Sequence, residues 1–206
     1  MKITNLIAEK LRTSIKNTGC ASLVVSGGSS PLKIFNELSN INLEWSNVKI
    51  TLVDDRLVDA KNTNSNQNLI HKHLLKNKAK NSVFFPLTKK LLSENFFKIP
   101  FDICLLGMGE DGHFASLFPN MINDFDAFSL KANHKIIKTS PNGDPLLPRI
   151  TMNLSLILNS NIIILLVKGE KKEAVLKKAL NEKKYPIHYL LKNRKENLFK
   201  IGRAHV

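Results

Sequence analysis

Apolar positions along this chain alternate between helical spacing and short unbroken runs. Leu6, Ile7, Leu11 and Ile15 predict an amphipathic helix over residues 4–18. Ala21 to Val25 is a short run rich in β-branched residues, and Leu32, Ile34, Phe35 and Leu38 return to helical spacing. The rhythm repeats. Val48 to Val53 predicts a strand, and Leu69, Ile70, Leu74 and Leu75 a helix. Phe84-Phe85-Pro86 is extended, and residues 88–97 are expected to be helical. Ile103 to Leu106 predicts a buried strand, and Phe114 to Phe118 a short helix stopped by Pro119. Residues 120–133 read as irregular, His134 to Thr139 as a strand and Ser140 to Pro145 as a loop. Pro148 to Thr151 leads into a short helix through Leu154, Ile157 and Leu158. Asn161 to Val167 is the most apolar strand, followed by helices over Lys171–Leu180 and from Pro186. Asn197 to Ile201 reads as an edge strand, and Gly202 to Val206 carry no pattern. Strands alternating with helices imply an α/β fold, with an open and mostly parallel sheet.

The loops after these strands carry the chemistry. Ala21–Val25 runs into Ser26-Gly27-Gly28-Ser29-Ser30-Pro31, where Ser30 suits an N-cap and Pro31 the first helical position. Strand, glycine-serine loop and helix start together make an anion site, because free N–H groups and the helix dipole favour phosphate. The loop lacks the Lys-Ser/Thr of a nucleotide P-loop, so a sugar phosphate is expected, with a plain tight turn as the alternative. Val48–Val53 ends at Asp54-Asp55-Arg56, where open α/β sheets bind ligands. Arg56 there either forks onto an anion or pairs with a neighbouring aspartate. The third loop, Gly107-Met108-Gly109-Glu110-Asp111-Gly112-His113, sets a charged pair and a histidine among three glycines. That permissive backbone can approach a ligand closely. Lys172 falls in the first turn of its helix, where a cation opposes the dipole and hints at a ligand anion. His71 and His73 sit two apart on a helix, which is not metal-ligand spacing.

Composition narrows the field. The chain has 206 residues, is 43% hydrophobic and has room for one sizeable core. No apolar run approaches the ~18 residues of a membrane span, and the N-terminus lacks a signal-peptide core. Cys20 and Cys104 lie far apart in apolar contexts and read as reduced thiols, which implies the cytoplasm. The formal charge of +14 raises the question of nucleic acid. Its lysines are scattered over helix faces and accompanied by abundant Asn and Ile, a compositional trend rather than a phosphate-backbone footprint. No nucleic-acid or membrane partner is expected, and nothing in the pattern separates a monomer from a homodimer.

Gly107-x-Gly109-x-x-Gly112 spells the dinucleotide fingerprint, but its context opposes that reading. Pro119 cuts the following helix short, and Asp124 and Asp126 have no strand before them. The blocks GMGEDGHFASLFP, SGGSSP, VDDRLVD, PRITMNLSLILN and GEKKEAVL instead resemble the 6-phosphogluconolactonase family, in the family's order, over about Leu23 to Leu180. The related glucosamine-6-phosphate deaminases/isomerases share the glycine-rich layout but continue differently after the histidine.

The resemblance implies a Rossmann-like sheet with helices on both faces, and hydrolysis of 6-phosphoglucono-δ-lactone without metal or organic cofactor. It places the phosphate loop at Ser26, Gly27, Gly28, Ser29 and Ser30, and the acidic-arginine motif at Asp54, Asp55 and Arg56. The family histidine maps to His113 and its lysine to Lys172, while Arg149 matches the arginine of the Arg-Ile-Thr block. A general-base role for His113 follows, oriented by Asp111 or Asp54. Arg56 or the N–H groups of Gly107, Gly109 and Gly112 are then expected to face the developing oxyanion. The sequence departs from the family at Asp55, one methylene shorter than the usual glutamate, and at Phe114 and Asn153, where threonines are usual. Residues 1–201 are expected to form one lactonase domain, with 202–206 an unpatterned tail, either native or foreign to it. A deaminase/isomerase-type enzyme is the runner-up, and a basic nucleic-acid-binding domain a more distant alternative.

Overall fold

The computed structural model of the chain describes residues 2–93, 96–193 and 198–201. It opens with helix α1 (Ile3–Thr18), which buries Ile3, Ile7, Leu11 and Ile15 along one stripe and ends at Gly19 in the left-handed conformation. Strand β1 (Ala21–Val25), helix α2 (Leu32–Leu38) and strand β2 (Val48–Leu52) follow as predicted. All five residues of β1 are buried, so both faces of its sheet are covered. β4 (Val83–Phe84), β5 (Phe101–Gly107), β8 (Ser160–Leu166) and β9 (Leu198–Ile201) complete a six-stranded sheet in the order β4-β2-β1-β5-β8-β9. Every pairing in it is parallel. Helix α6 (Glu170–Ala179) and helix α7 (Pro186–Lys192) connect β8 to the edge strand β9. This is the expected open α/β architecture.

The strand order fixes where a ligand can sit. From β1 the chain winds outward one way through β2 to β4, then returns to β5 and winds the other way through β8 to β9. The boundary between β1 and β5 is therefore the topological switch point, where loops leave in opposite directions and open a crevice beyond the strand ends.

A second sheet was not foreseen. β3 (Asp54–Arg56), β7 (Leu147–Met152) and β6 (Ile136–Asn142) form an antiparallel sheet in that order, pairing Asp54 with Thr151 and Arg56 with Arg149. Asp54-Asp55-Arg56 is thus a strand rather than the tail of one, and Ser140 to Asn142 belong to β6 rather than to a loop. The described residues of this range, 88–93 with 96 and 97, are not helical. They make isolated turns, Leu91 N–H to Thr88 O and Ser93 N–H to Lys90 O. Phe96 and Phe97 both pack on the Phe85 ring, centroids 4.8 and 5.2 Å away, which draws adjacent side chains to one partner. Phe114 to Phe118 is also not a helix. Ala115 takes a φ of +50°, Phe114 bridges to both Met108 and Leu117, and all five residues are buried. Residues 120–133 contain more order than expected, in the short helix α4 (Phe125–Phe128) capped by Asp124. α2 starts one residue later than predicted, with Pro31 rather than Ser30 at the N-cap and no side-chain cap. Helix α5 (Leu154–Leu158) is capped by Asn153, so the usual threonine's place is taken by a residue with a structural use. Residues 202–206 lie outside the described residues.

Helix α3 (Asn66–His73) is tied to β3 by one carboxylate. Asp55 accepts from the backbone N–H groups of Asn66 (2.6 Å), Gln67 (3.0 Å) and Arg56 (2.7 Å) and from the Ser65 hydroxyl (3.2 Å). Ser65 in turn caps Asn68 N–H. The donors that a helix start leaves open are thereby met, with a negative charge at the positive end of the dipole. Asp55→Ala should cost about 1.5–3 kcal/mol, the usual worth of hydrogen bonds to a charged group. In a chain of this size that is a Tm lowered by roughly 3–12 °C in a thermal melt.

Candidate active site

At the switch point lies a cavity of about 230 Å³. The loop after β1 contributes Ser26 to Ser30, β3 contributes Asp54 and Arg56, and the loop from the end of β5 contributes Gly107, Gly109 and His113. Arg149 of β7 and Lys172 of α6 complete the charged lining. Elements distant in sequence thus bring together most of the predicted site residues. Three stand apart from the lining. Asp111 supports His113 from behind, and Gly112 accepts from Ile187 N–H of α7 through its carbonyl. Asp55 is the third: its carboxylate is filled by the start of α3, so the expected substrate contact is replaced by a structural one.

His113 is held by Asp111, whose Oδ1 lies 2.6 Å from the imidazole Nδ1 and also accepts the His113 backbone N–H at 3.1 Å. Burial alone would raise the Asp111 carboxyl, but the hydrogen bonds and charge of His113 outweigh it and bring it below its ordinary value. An ionised Asp111 keeps the proton on Nδ1 and leaves the Nε2 lone pair open. The ring also lies against Phe118, centroids 4.6 Å apart. Gly109 makes this possible, since a Cβ there would stand 2.2 Å from the imidazole. Two of the three loop glycines, Gly109 and Gly112, do not offer their N–H groups to a ligand as expected. Gly109 N–H donates to His113 O and Gly112 N–H to Gly109 O, which closes the loop on itself.

Asp54 does not reach His113. It is buried, and its Oδ2 accepts the Ser116 hydroxyl at 2.5 Å. Desolvation raises its carboxyl above the ordinary value, although Ser116, Arg56 and Arg149 all pull the other way. Desolvation likewise lowers Arg149, followed by the like charge of Arg56, with Asp54 opposing. For this group of charges the loss of water outweighs mutual attraction. Arg149 donates to Asn142 O and Pro145 O and stacks over Phe118.

Two polar atoms are buried without a partner among the described residues, Ser26 Oγ and Arg56 Nε, and both residues line this cavity. The backbone N–H groups of residues 27–30 donate to no protein acceptor among the described residues. Lys172 likewise has no carboxylate partner among them. Unsatisfied donors and excess positive charge point to an anionic ligand. No group of three or more His, Cys, Asp or Glu placed to hold a metal occurs among the described residues. No described helix is long and apolar enough to cross a membrane.

Sequence reasoning missed Asn66 and Ser116. Asn66 sits inside a polar stretch that carried no motif, although the serine before it is an N-cap signal. Ser116 is hidden in a segment that reads as apolar helix.

Fold and site together define an α/β protein with a cationic cavity beyond the carboxyl ends of its parallel strands, beside a carboxylate-oriented histidine. Comparison with known proteins agrees. The family described as glucosamine-6-phosphate isomerases/6-phosphogluconolactonase matches residues 1–199, and the chain belongs to that family. It is 34% identical to the 6-phosphogluconolactonase of Neisseria meningitidis, over 95% of this chain and 90% of that protein. It is 36% identical to the one from Helicobacter pylori, over 87% of this chain and 81% of that protein. The crystal structure of a 6-phosphogluconolactonase from Shewanella baltica superposes with a TM-score of 0.86 at 36% identity, covering 97% of this chain and 91% of that one.

The raised Asp54 carboxyl has a thermodynamic signature. Its folded value exceeds the unfolded one, so as pH rises the unfolded state releases its proton first and the folded state is penalised. Asp54→Asn removes that penalty. The Tm difference between Asp54→Asn and the unsubstituted protein should therefore move in favour of the variant as pH rises from about 4, near the ordinary carboxylate value, towards neutrality. A difference that stays constant over that range would contradict the raised carboxyl.

Proposed function

We propose that this chain is a cytoplasmic 6-phosphogluconolactonase, converting 6-phosphoglucono-1,5-lactone to 6-phosphogluconate in the oxidative pentose phosphate pathway. The observation that carries this reading is the His113–Asp111 pair at the mouth of a cationic cavity, in a family whose curated relatives bear that name. A lactone needs no activation by a cofactor. Its carbonyl requires an attacking water, a base for that water's proton, and a donor for the oxyanion.

His113 Nε2 takes a proton from water as the water oxygen bonds to C1, and Asp111 stabilises the imidazolium that results. Because Gly109 and Gly112 use their N–H groups within the loop, the oxyanion is assigned to Arg56, whose Nε has no acceptor among the described residues. Its Nη1 is engaged by Asn64 O and the Asn66 side chain, which leaves Nε and Nη2 without a protein acceptor among the described residues, as a fork for the oxyanion. Collapse of the tetrahedral intermediate breaks the bond between C1 and the ring oxygen. The imidazolium proton then goes to that leaving oxygen, and the product is a carboxylic acid that ionises. The N–H groups of residues 27–30, the Ser26 hydroxyl and Lys172 suit the 6-phosphate.

Release of 6-phosphogluconate, measured by a coupled assay after subtraction of spontaneous hydrolysis, tests the reading. Glucosamine 6-phosphate assayed alongside should give no product, and turnover of that compound in place of the lactone would transfer the chain to the deaminase branch. His113→Asn should lower kcat by ~10²–10⁴-fold, the range of a general base, and unchanged turnover would remove His113 from that role. Lys172→Ala should raise KM more than it lowers kcat, as expected for a group that binds ground and transition states equally.

A further inference from the structure

Asn66 touches three parts of the site at once. It is buried at the first position of α3, and its side chain lines the cavity. Its Oδ1 accepts from Arg56 Nη1 at 3.1 Å, and its Nδ2 donates to the Asp54 carbonyl at 2.9 Å. Its amide also fills the space over Gly27, where a Cβ would meet Asn66 Oδ1 at 1.9 Å. The residue is itself fixed from below, because its backbone N–H donates to Asp55 at 2.6 Å.

We infer that Asn66, anchored by Asp55, is a positioning residue that orients the Arg56 guanidinium so that its Nε–Nη2 edge faces the reacting centre. A guanidinium on a flexible stem has several rotamers to lose, and a fork directs charge only when one edge is pinned. Here Nη1 is pinned by two acceptors, Asn64 O at 2.7 Å and Asn66 Oδ1, and Nε is left buried and unpartnered. An aspartate at position 66 would also pin Nη1, but it would neutralise the charge that the site presents. A neutral amide holds the arginine while leaving that charge for the ligand. The shortened Asp55 belongs to the same device: it ties the start of α3 to β3, the strand that carries Arg56.

This inference rests on the lactonase reading only for the identity of the reaction. The test is a double-mutant cycle with Asn66→Ala and Arg56→Ala, together with the NMR order of the Arg56 Nε–H group. Asn66→Ala should lower kcat on the order of 10²-fold, near the cost of one oxyanion donor, with KM within about twofold. In the Arg56→Ala background the same substitution should have no further effect, because its target is gone. A full loss in both backgrounds would show that Asn66 acts elsewhere and overturn the inference. The Arg56 Nε–H heteronuclear NOE should be that of a rigid group in the unsubstituted protein and should collapse in Asn66→Ala. It should persist in the near-isosteric Asn66→Asp, which keeps the Nη1 acceptor and guards against a folding failure of the alanine variant. Arg56 equally ordered in Asn66→Ala would overturn the inference. If the protein does not turn over the lactone, the function reading fails while the NMR result still decides the positioning role.

Discussion

One hydrogen bond marks the constraint on which the site depends. Ser26 N–H donates to Leu105 O at 2.9 Å, the last rung between β1 and β5. Beyond it the chain after β1 leaves through the Ser26–Ser30 loop towards β2, while the chain after β5 leaves through Gly107 to His113 towards β8. Parallel strands must end at the same edge, so the two loops open side by side. The glycine-serine loop and the histidine loop are thus neighbours because of strand order, with no contact between them required to hold the arrangement.

The second sheet supplies what the first cannot. A parallel sheet buried on both faces has apolar strands, and its own side chains carry little charge to the crevice. β3 and β7 bring in Asp54, Arg56 and Arg149, with the two arginines directly paired across the ladder. Like charges opposite each other are destabilising, and both Asp54 and Arg149 are already shifted towards their neutral forms by burial. Carbonyl groups of Asn142 and Pro145 and the Phe118 ring offset part of this for Arg149. The balance of charge is still positive, and a bound anion would bring it closer to neutral. A site of this kind is stabilised by its own ligand.

What could be read in the sequence follows from how local each signal is. β1, β2, β5 and β8 announce themselves because a fully buried strand is a continuous apolar run, and the loops at their ends are punctuated by glycine. β3 has no such mark. Asp54-Asp55-Arg56 is polar throughout, and its strand geometry comes from pairing with Arg149 to Thr151, far along the chain, which no window of sequence reveals. The helix expected over Phe114–Phe118 fails because Ala115 turns the chain at positive φ, a conformation that alanine does not advertise. The roles of Asp55 and Asn66 were hidden for a different reason. Both residue types suit substrate contact and helix capping alike, and only the position of α3 decides between these uses.

The glycine spacing that imitates a dinucleotide fingerprint shows how far composition can mislead without geometry. In the fingerprint the glycines admit a pyrophosphate to a helix N-terminus. Here no helix follows the loop, and two of its three glycine N–H groups are spent inside it or in holding its turn. Gly109 is small because the His113 ring occupies the space over it, and Gly112 packs beneath Tyr185 while its carbonyl receives α7. The glycines therefore serve the histidine rather than a phosphate. They let a short loop fold back on itself so that Asp111 and His113, two residues apart, meet through their side chains and present one imidazole nitrogen to the cavity.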